Sequence, residues 1–386
     1  MAAALGVLVS CGSVKSGEEV VAASRDSKVV VAYVTSWSEV MPDPQYMTHI
    51  NYAFGHVNES FNGVKIDNEE RLRQIVDLRK QKPELKVLLS IGGWGSGRFS
   101  EMAANDEYRR AFAADCDRVV KEFALDGIDI DWEYPTSSMA NISSSPDDTE
   151  NFTLLMQDIR AAIGNEKELT LATVASARYI DFKAILPSVD FVNIMAYDMA
   201  SAPKHHSALY PSGHSGDITS DGAVTAHLKA GVPPSKLVMG MPFYGRGGDG
   251  YPSFQDYNKV GNTDTQYTEK WDEVAQVPYL ADKNDTLVFG FENPRSLAIK
   301  CQYILDKDLL GGMYWDYSGD NEQGDLRRTV AENLLGKPHK AKVLALTERG
   351  GQHGGFTDAG LKWLAAEGAK GNFSITEINN ARNITE

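Results

Sequence analysis

Short apolar runs recur along the chain, and segments of helical period fill the gaps between them. Residues 28–37 open with Val-Val-Val-Ala-Tyr-Val-Thr-Ser, whose β-branched content predicts a buried strand. Residues 49–54 and 86–91 predict a second and third strand, with helical periodicity over 69–81 between them until Pro83 breaks it. An amphipathic helix over 108–123 carries Phe112, Val119, Val120 and Phe123, and the stretch 126–135 follows as a fourth strand. Strands five to eight fall at 169–175, 191–195, 237–241 and 311–315. Helices are expected at 148–163 (closed by Gly164), 180–186, 221–230, 294–305 and 326–335. The segment 245–286, rich in Gly, Tyr and Asp, reads as irregular.

Strands alternating with helical segments imply a parallel sheet with helices outside it. Eight such units fit a (β/α)8 TIM barrel. A doubly wound open sheet would carry a Gly-rich phosphate loop after its first strand, whereas this chain reads Thr-Ser-Trp-Ser-Glu after Val34. Chemistry in such barrels sits at the C-terminal strand ends. Glu133, Trp94, Tyr197 and Trp315 all fall there.

The fourth strand reads Asp-Gly-Ile-Asp-Ile-Asp-Trp-Glu-Tyr-Pro. Ile128 and Ile130 alternate with Asp129, Asp131 and Glu133, so three acids share one face with successive side chains roughly 6–7 Å apart. Like charges this close cannot all ionise, and at least one proton is expected to be held near neutral pH. Such a group can serve as a proton donor. A calcium loop would spread its oxygen ligands over a 12-residue turn with a central Gly, which this strand-like spacing does not do. Trp132, beside Glu133, is expected to help raise its pKa. Aromatic side chains at neighbouring strand ends would stack on sugar rings.

Composition is ordinary for a globular protein, 42% hydrophobic and 24% charged. The net charge of −15 argues against nucleic acid or an anionic membrane surface as partner, since both need a basic face. A neutral polysaccharide is compatible with it. No metal or cofactor is expected.

The acidic stretch resembles the signature of glycoside hydrolase family 18, the chitinase family, whose pattern is Asp-x-x-Asp-x-Asp-x-Glu. The likeness covers about residues 28–336 and includes Ser90-Ile-Gly-Gly93, Met195-Ala-Tyr-Asp198 and Gly311-Gly-Met-Tyr-Trp315. It implies that Glu133 is the general acid, that Asp131 orients the substrate's 2-acetamido group, and that Asp129 supports Asp131 and shares its proton. Tyr197 would hydrogen-bond the acetamido carbonyl, and Trp315 would floor the subsite of the distorted sugar. Tyr33, Phe54, Trp94, Met195, Asp198 and Met313 would line that subsite or its neighbours, with Trp94 on the leaving-group side. Arg246 reads as a structural or cleft-lining arginine, and Tyr257 is a further candidate.

The resemblance further implies substrate-assisted retention, an exception to the two-carboxylate scheme, on chitin or another N-acetylglucosamine-containing polysaccharide or oligosaccharide. An endo-β-N-acetylglucosaminidase acting on N-glycans or peptidoglycan is the alternative, and a non-catalytic sugar-binding barrel the second. Many relatives insert a sizeable α+β module between strands seven and eight. Here the corresponding segment is about 40 residues long, so a reduced module and a shallower, more endo-like groove are expected.

The ends read differently from the barrel. Leu8-Val9-Ser10-Cys11 resembles the tail of a bacterial lipoprotein signal with Cys11 as the lipidated residue, although the apolar run is too short to span a bilayer and lacks a basic n-region. Export with a lipid anchor is expected, and residues 12–27 read as a tether. Residues 337–340 read as a linker. Residues 341–386 resemble the opening β-α-β unit of a trehalose-utilisation-type, flavodoxin-like domain that ends before its sheet is covered, and His353 in its Gly-rich turn is given no role. Cys116 and Cys301 fall on separate predicted helices and are expected to be buried free thiols.

Overall fold

A computed structural model describes residues 28–248, 251–260 and 266–336. The leader with Cys11, the linker 337–340 and the segment 341–386 lie outside the described residues. The chain starts with β1 (Val29–Thr35), β2 (His49–Val57) and the short β3 (Val64–Ile66), followed by α1 (Glu69–Val76). Next come β4 (Lys86–Gly92), α2 (Phe99–Ala104), α3 (Asp106–Glu122), β5 (Gly127–Asp131) and α4 (Asp148–Ile163). Then follow β6 (Glu168–Val174), α5 (Phe182–Ile185), β7 (Phe191–Met195), α6 (Ser220–Lys229) and β8 (Leu237–Pro242). A second group of strands interrupts the pattern: β9 (Tyr244–Gly247), β10 (Gln255–Asp256), β11 (Thr268–Asp272), β12 (Val277–Ala281) and β13 (Leu287–Gly290). The chain returns with α7 (Pro294–Asp306), β14 (Gly311–Trp315) and α8 (Asp325–Leu335).

Eight strands pair in parallel in the order β1-β14-β8-β7-β6-β5-β4-β2, and β1 pairs back with β2 to close the barrel. Strand alternation sorts the side chains. On β1, Val30, Ala32 and Val34 join the large core between barrel and helices, while Val31 and Tyr33 join a smaller interior cluster with Ala53, Phe54, Phe191, Val238 and Met313. The closed parallel sheet leaves β-branched strands buried on both faces, which is why their sequences read as continuous apolar runs. Cys116 and Cys301 are free and buried, as expected.

The segment expected to be irregular is ordered. It forms a five-stranded antiparallel sheet, β10-β9-β13-β12-β11, and between 244 and 290 its described residues contain only a three-residue 3-10 turn, Tyr257–Lys259, as helix. The expected reduced α+β module is therefore a β-sheet. Its strands are too short and too mixed in polarity to show a period, and β11 is largely exposed. Two other elements escaped the pattern: α2, six residues long directly before α3, and the three-residue β3.

Candidate active site

The three acids of the fourth strand converge at the C-terminal mouth of the barrel, at increasing height. Asp129 is fully buried inside it. Its Oδ2 accepts hydrogen bonds from the Tyr33 hydroxyl and Ser90 Oγ, each at 2.8 Å. Its Oδ1 accepts from Thr170 Oγ1 at 2.6 Å and Asn193 Nδ2 at 3.3 Å. Ser90 and Thr170 are the register partners of Asp129 on β4 and β6, so the ladder itself brings them together. Burial raises the Asp129 carboxyl, and the four donors oppose that rise.

Asp131 ends β5. Gly92 makes its position accessible: with φ of +130° and an added Cβ 1.9 Å from the Asp131 carbonyl oxygen, only glycine lets β4 pass this closely. Asp131 is held well above the usual carboxyl range by burial first, then by the charges of Glu133 and Asp129. Glu133 lies two residues beyond the strand and is 9% exposed. Burial pushes it from 4.5 up to about 7, the charge of Asp198 adds to the rise, and a hydrogen bond from the Tyr134 hydroxyl opposes it. Desolvation thus leads over like-charge repulsion, the reverse of the weighting the spacing suggested. Trp132 does not contribute from the cleft. Strand alternation turns it outward, where it stacks on Phe99 at 5.3 Å and meets the Phe152 edge at 5.9 Å.

Above these acids lies a cleft of about 620 Å³. Of the residues singled out in the sequence, Asp131, Glu133, Tyr33, Phe54, Trp94, Met195, Tyr197, Asp198, Arg246 and Trp315 line it. Asp129 and Met313 sit beneath the lining. Met313 is fully buried, and its Sδ accepts the Tyr197 hydroxyl at 3.7 Å. Trp315 stacks on Phe54 at 5.6 Å and tilts against Tyr33 at 5.6 Å, giving the cleft an aromatic floor. Trp94, 61% exposed, stands edge-on to Tyr134. Tyr257 lines a separate cavity and has no place on the cleft wall.

Asp198 follows β7 and is gripped by Arg246 of β9 through two bonds, Nε to Oδ1 at 2.6 Å and Nη2 to Oδ2 at 2.7 Å. The Nδ1 of His206 lies 3.5 Å from the same carboxylate. These partners hold the Asp198 carboxyl well below its usual range despite its burial. The cleft also includes Trp37, Tyr134, Tyr179, Tyr244 and Phe254. Trp37 could have been found as a tryptophan at the end of a predicted barrel strand, and Tyr134 as part of the acidic signature. Tyr179 and Phe254 stand on loops with no such signal.

A carboxylic acid pushed up to about 7, set in an aromatic groove above the buried Asp131 and the hydrogen-bonded Asp129, can protonate a glycosidic oxygen while the floor holds a sugar ring. Fold and site together define a barrel enzyme of the glycoside hydrolase class. Residues 29–320 match the model of Glycosyl hydrolases family 18, and the chain belongs to that family. It is 30% identical to Chitinase A1 of Niallia circulans over 78% of this chain, and spans 58% of that relative's length. It is 31% identical to Chitotriosidase-1 of Mus musculus, covering 76% of this chain and 74% of the relative. Among solved structures, a family 18 N-acetylglucosaminidase from Paenibacillus barengoltzii superimposes with a TM-score of 0.73 at 32% identity, covering 79% of this chain and 99% of that one.

Proposed function

We propose that this chain hydrolyses β-1,4-linked N-acetylglucosamine polymers, chitin or its oligosaccharides, with the substrate's own acetamido oxygen as nucleophile. The observation that carries this reading is that, among the described residues lining the cleft, the two carboxyls besides Glu133 are Asp131 and Asp198, and neither is poised as a nucleophile. Asp198 is locked in its bidentate pair with Arg246. Asp131 precedes Glu133 by two residues and carries a raised pKa, which suits a hydrogen-bonding partner better than an anionic nucleophile. Glu133 is the donor. It protonates the glycosidic oxygen as the C1–O bond breaks, while the acetamido carbonyl oxygen closes onto C1. Asp131 accepts the acetamido N–H, and Asp129 beneath shares the proton of the pair. The Tyr197 hydroxyl donates to the acetamido oxygen, and Trp315 supports the distorted ring. Water then attacks C1 as the bond from C1 to the acetamido oxygen breaks, and the Glu133 carboxylate takes up the water proton, so configuration is retained. Trp94 stacks the sugar on the leaving-group side.

The names of the two curated relatives support chitin as the polymer. The described name of the Paenibacillus barengoltzii structure favours a second reading, release of N-acetylglucosamine by the same acetamido chemistry. Action on N-glycans or peptidoglycan would use the same machinery. The test is product analysis on soluble chitin oligosaccharides of increasing length, with Glu133→Gln and fully de-N-acetylated oligomers as controls. Turnover is expected to fall by about 10²–10⁴-fold in the variant, with sugar binding retained, and to be absent on the de-N-acetylated chain. Cleavage of the de-N-acetylated chain, or a variant with most of its turnover, refutes the mechanism.

Two finer readings rest on sequence motifs alone. Lipid attachment at Cys11 with export is tested by palmitate labelling, which Cys11→Ser should abolish. The likeness of residues 341–386 to a trehalose-utilisation-type, flavodoxin-like domain is tested by solving that segment's structure, and a fold other than a β-α-β unit would sink it.

A further inference from the structure

A second cavity, of about 790 Å³, shares no lining residue with the cleft. Six pieces border it: the loop at Val40, the turn with Tyr257, Asn258 and Val260, the β11–β12 edge with Glu269, the start of α7 at Asn293, the loop after β14 up to Gln323, and Arg327 of α8. Hydrogen bonds hold these pieces in register. Asn258 Nδ2 donates to the carbonyls of Ser318 at 3.2 Å and Asp320 at 3.4 Å, and Asn293 Nδ2 reaches Glu269 Oε1 at 3.3 Å. The walls are therefore preorganised, and their volume falls within the ~300–1,000 Å³ of ordinary small-ligand sites.

The chemistry of the walls narrows the ligand. Among the described residues Arg327 is the one cation on them, and it is already engaged by Asp320 at 3.0 Å and by the carbonyl of Asn321 at 2.9 Å. Glu269 and Glu322 add negative charge, so phosphates, uronates and other anions are disfavoured. No group of three or more His, Cys, Asp or Glu among the described residues could hold a metal ion. Carboxamides, carboxylates, the rings of Tyr257, Tyr317 and Phe291, and a few aliphatic side chains remain, a set that suits a neutral polyhydroxylated ligand with apolar ring faces.

The path between the two cavities is short along the chain. Trp37 lines the cleft and Val40 lines the second cavity. Trp37, Val40 and Met41 are exposed by 64%, 48% and 45%. This loop is fixed from below, because Arg71 donates to the carbonyls of Thr35 at 3.0 Å and Val40 at 2.8 Å. Exposed apolar side chains scattered singly carry no message, but here they crowd into residues 37–41, between two openings.

We propose that the second cavity is a distal saccharide site. It holds a remote segment of the same neutral N-acetylated chain whose scissile bond lies in the cleft, with the chain passing over residues 37–41. The inference rests on the substrate reading above, and one calorimetric experiment separates the two. In a Glu133→Gln background, soluble N-acetylglucosamine trimer and hexamer are titrated by calorimetry. The hexamer is expected to bind about tenfold tighter or more, through tethered engagement of the second site. Tyr257→Ala removes the ring. A Glu322→Ala/Gln323→Ala pair on the exposed turn leaves the core untouched and keeps the test standing if Tyr257→Ala folds poorly. Either change should bring hexamer affinity down to that of the trimer, with trimer affinity moving by less than about twofold. Unchanged hexamer affinity in the paired variant overturns the distal site alone. Absence of binding by both oligomers overturns the reading of the cleft and takes the distal site with it.

Discussion

Replacing Glu133 by Gln should make the folded protein more stable in alkaline solution while it removes activity. Glu133 is 9% exposed, and its carboxyl is pushed from 4.5 up to about 7, chiefly by burial. A carboxyl raised in the folded state binds its proton more tightly there than in the unfolded chain. Its favourable contribution is complete below 4.5, shrinks as pH rises, and is gone above about 7. Carried through the linkage relation, ionising Glu133 in place costs the fold about 3 kcal/mol at pH 8. Asp131 is shifted in the same direction, partly by the Glu133 charge, so its relief adds with the same sign. An isosteric amide avoids the penalty. Thermal unfolding should show Glu133→Gln melting roughly 5 °C above the parent at pH 8 and level with it at pH 4.5. Parent turnover should stay high while Glu133 is protonated and fall about tenfold per pH unit above 7. An equal shift in melting temperature at both pH values, or a less stable variant at pH 8, would refute the account of Glu133 as a desolvated, proton-holding acid.

Arg246→Met releases Asp198 from its two-pronged grip, so the Asp198 carboxyl should rise toward its ordinary range and kcat/KM should fall on the order of 10²-fold. Arg246→Lys should recover only part of this, because an ammonium cannot reproduce the fork, and steady-state kinetics on a soluble chitin oligomer reads both. Lys300 and Glu292 form a fully buried ion pair, with Ser207 Oγ donating to Glu292 at 2.6 Å. Lys300→Met strands that carboxylate and should cost about 3–5 kcal/mol in denaturant unfolding, most of it restored by adding Glu292→Gln.

The barrel was legible because its strands are buried on both faces, and a run such as Phe191–Met195 can hardly be read otherwise. The acid cluster was legible because three carboxyls on an apolar strand demand an explanation. What the chain did not disclose depends on distant pairing. The small sheet is built from strands of two to five residues, too short to show a period, and the pairing of β9 with β13 that closes it joins segments far apart in sequence. The grip of Arg246 on Asp198 spans 48 positions and has no local signature. The weighting of the Glu133 shift was also hidden, since spacing reports charge proximity but not how completely water is excluded.

The grip on Asp198 has a bearing on protein engineering. Arg246 belongs to the small sheet, yet its partner belongs to the barrel, and Glu292 reaches across the same boundary to Ser207 and Lys300. The sheet is therefore not an interchangeable cassette: splicing a taller wall between residues 244 and 292 would cut both ties and leave a cleft-lining carboxylate without its clamp. The turn at 282–286 is the safer grafting point, because Asp282 already closes it on itself by accepting from the backbone of Asn284 and Thr286, each at 2.9 Å.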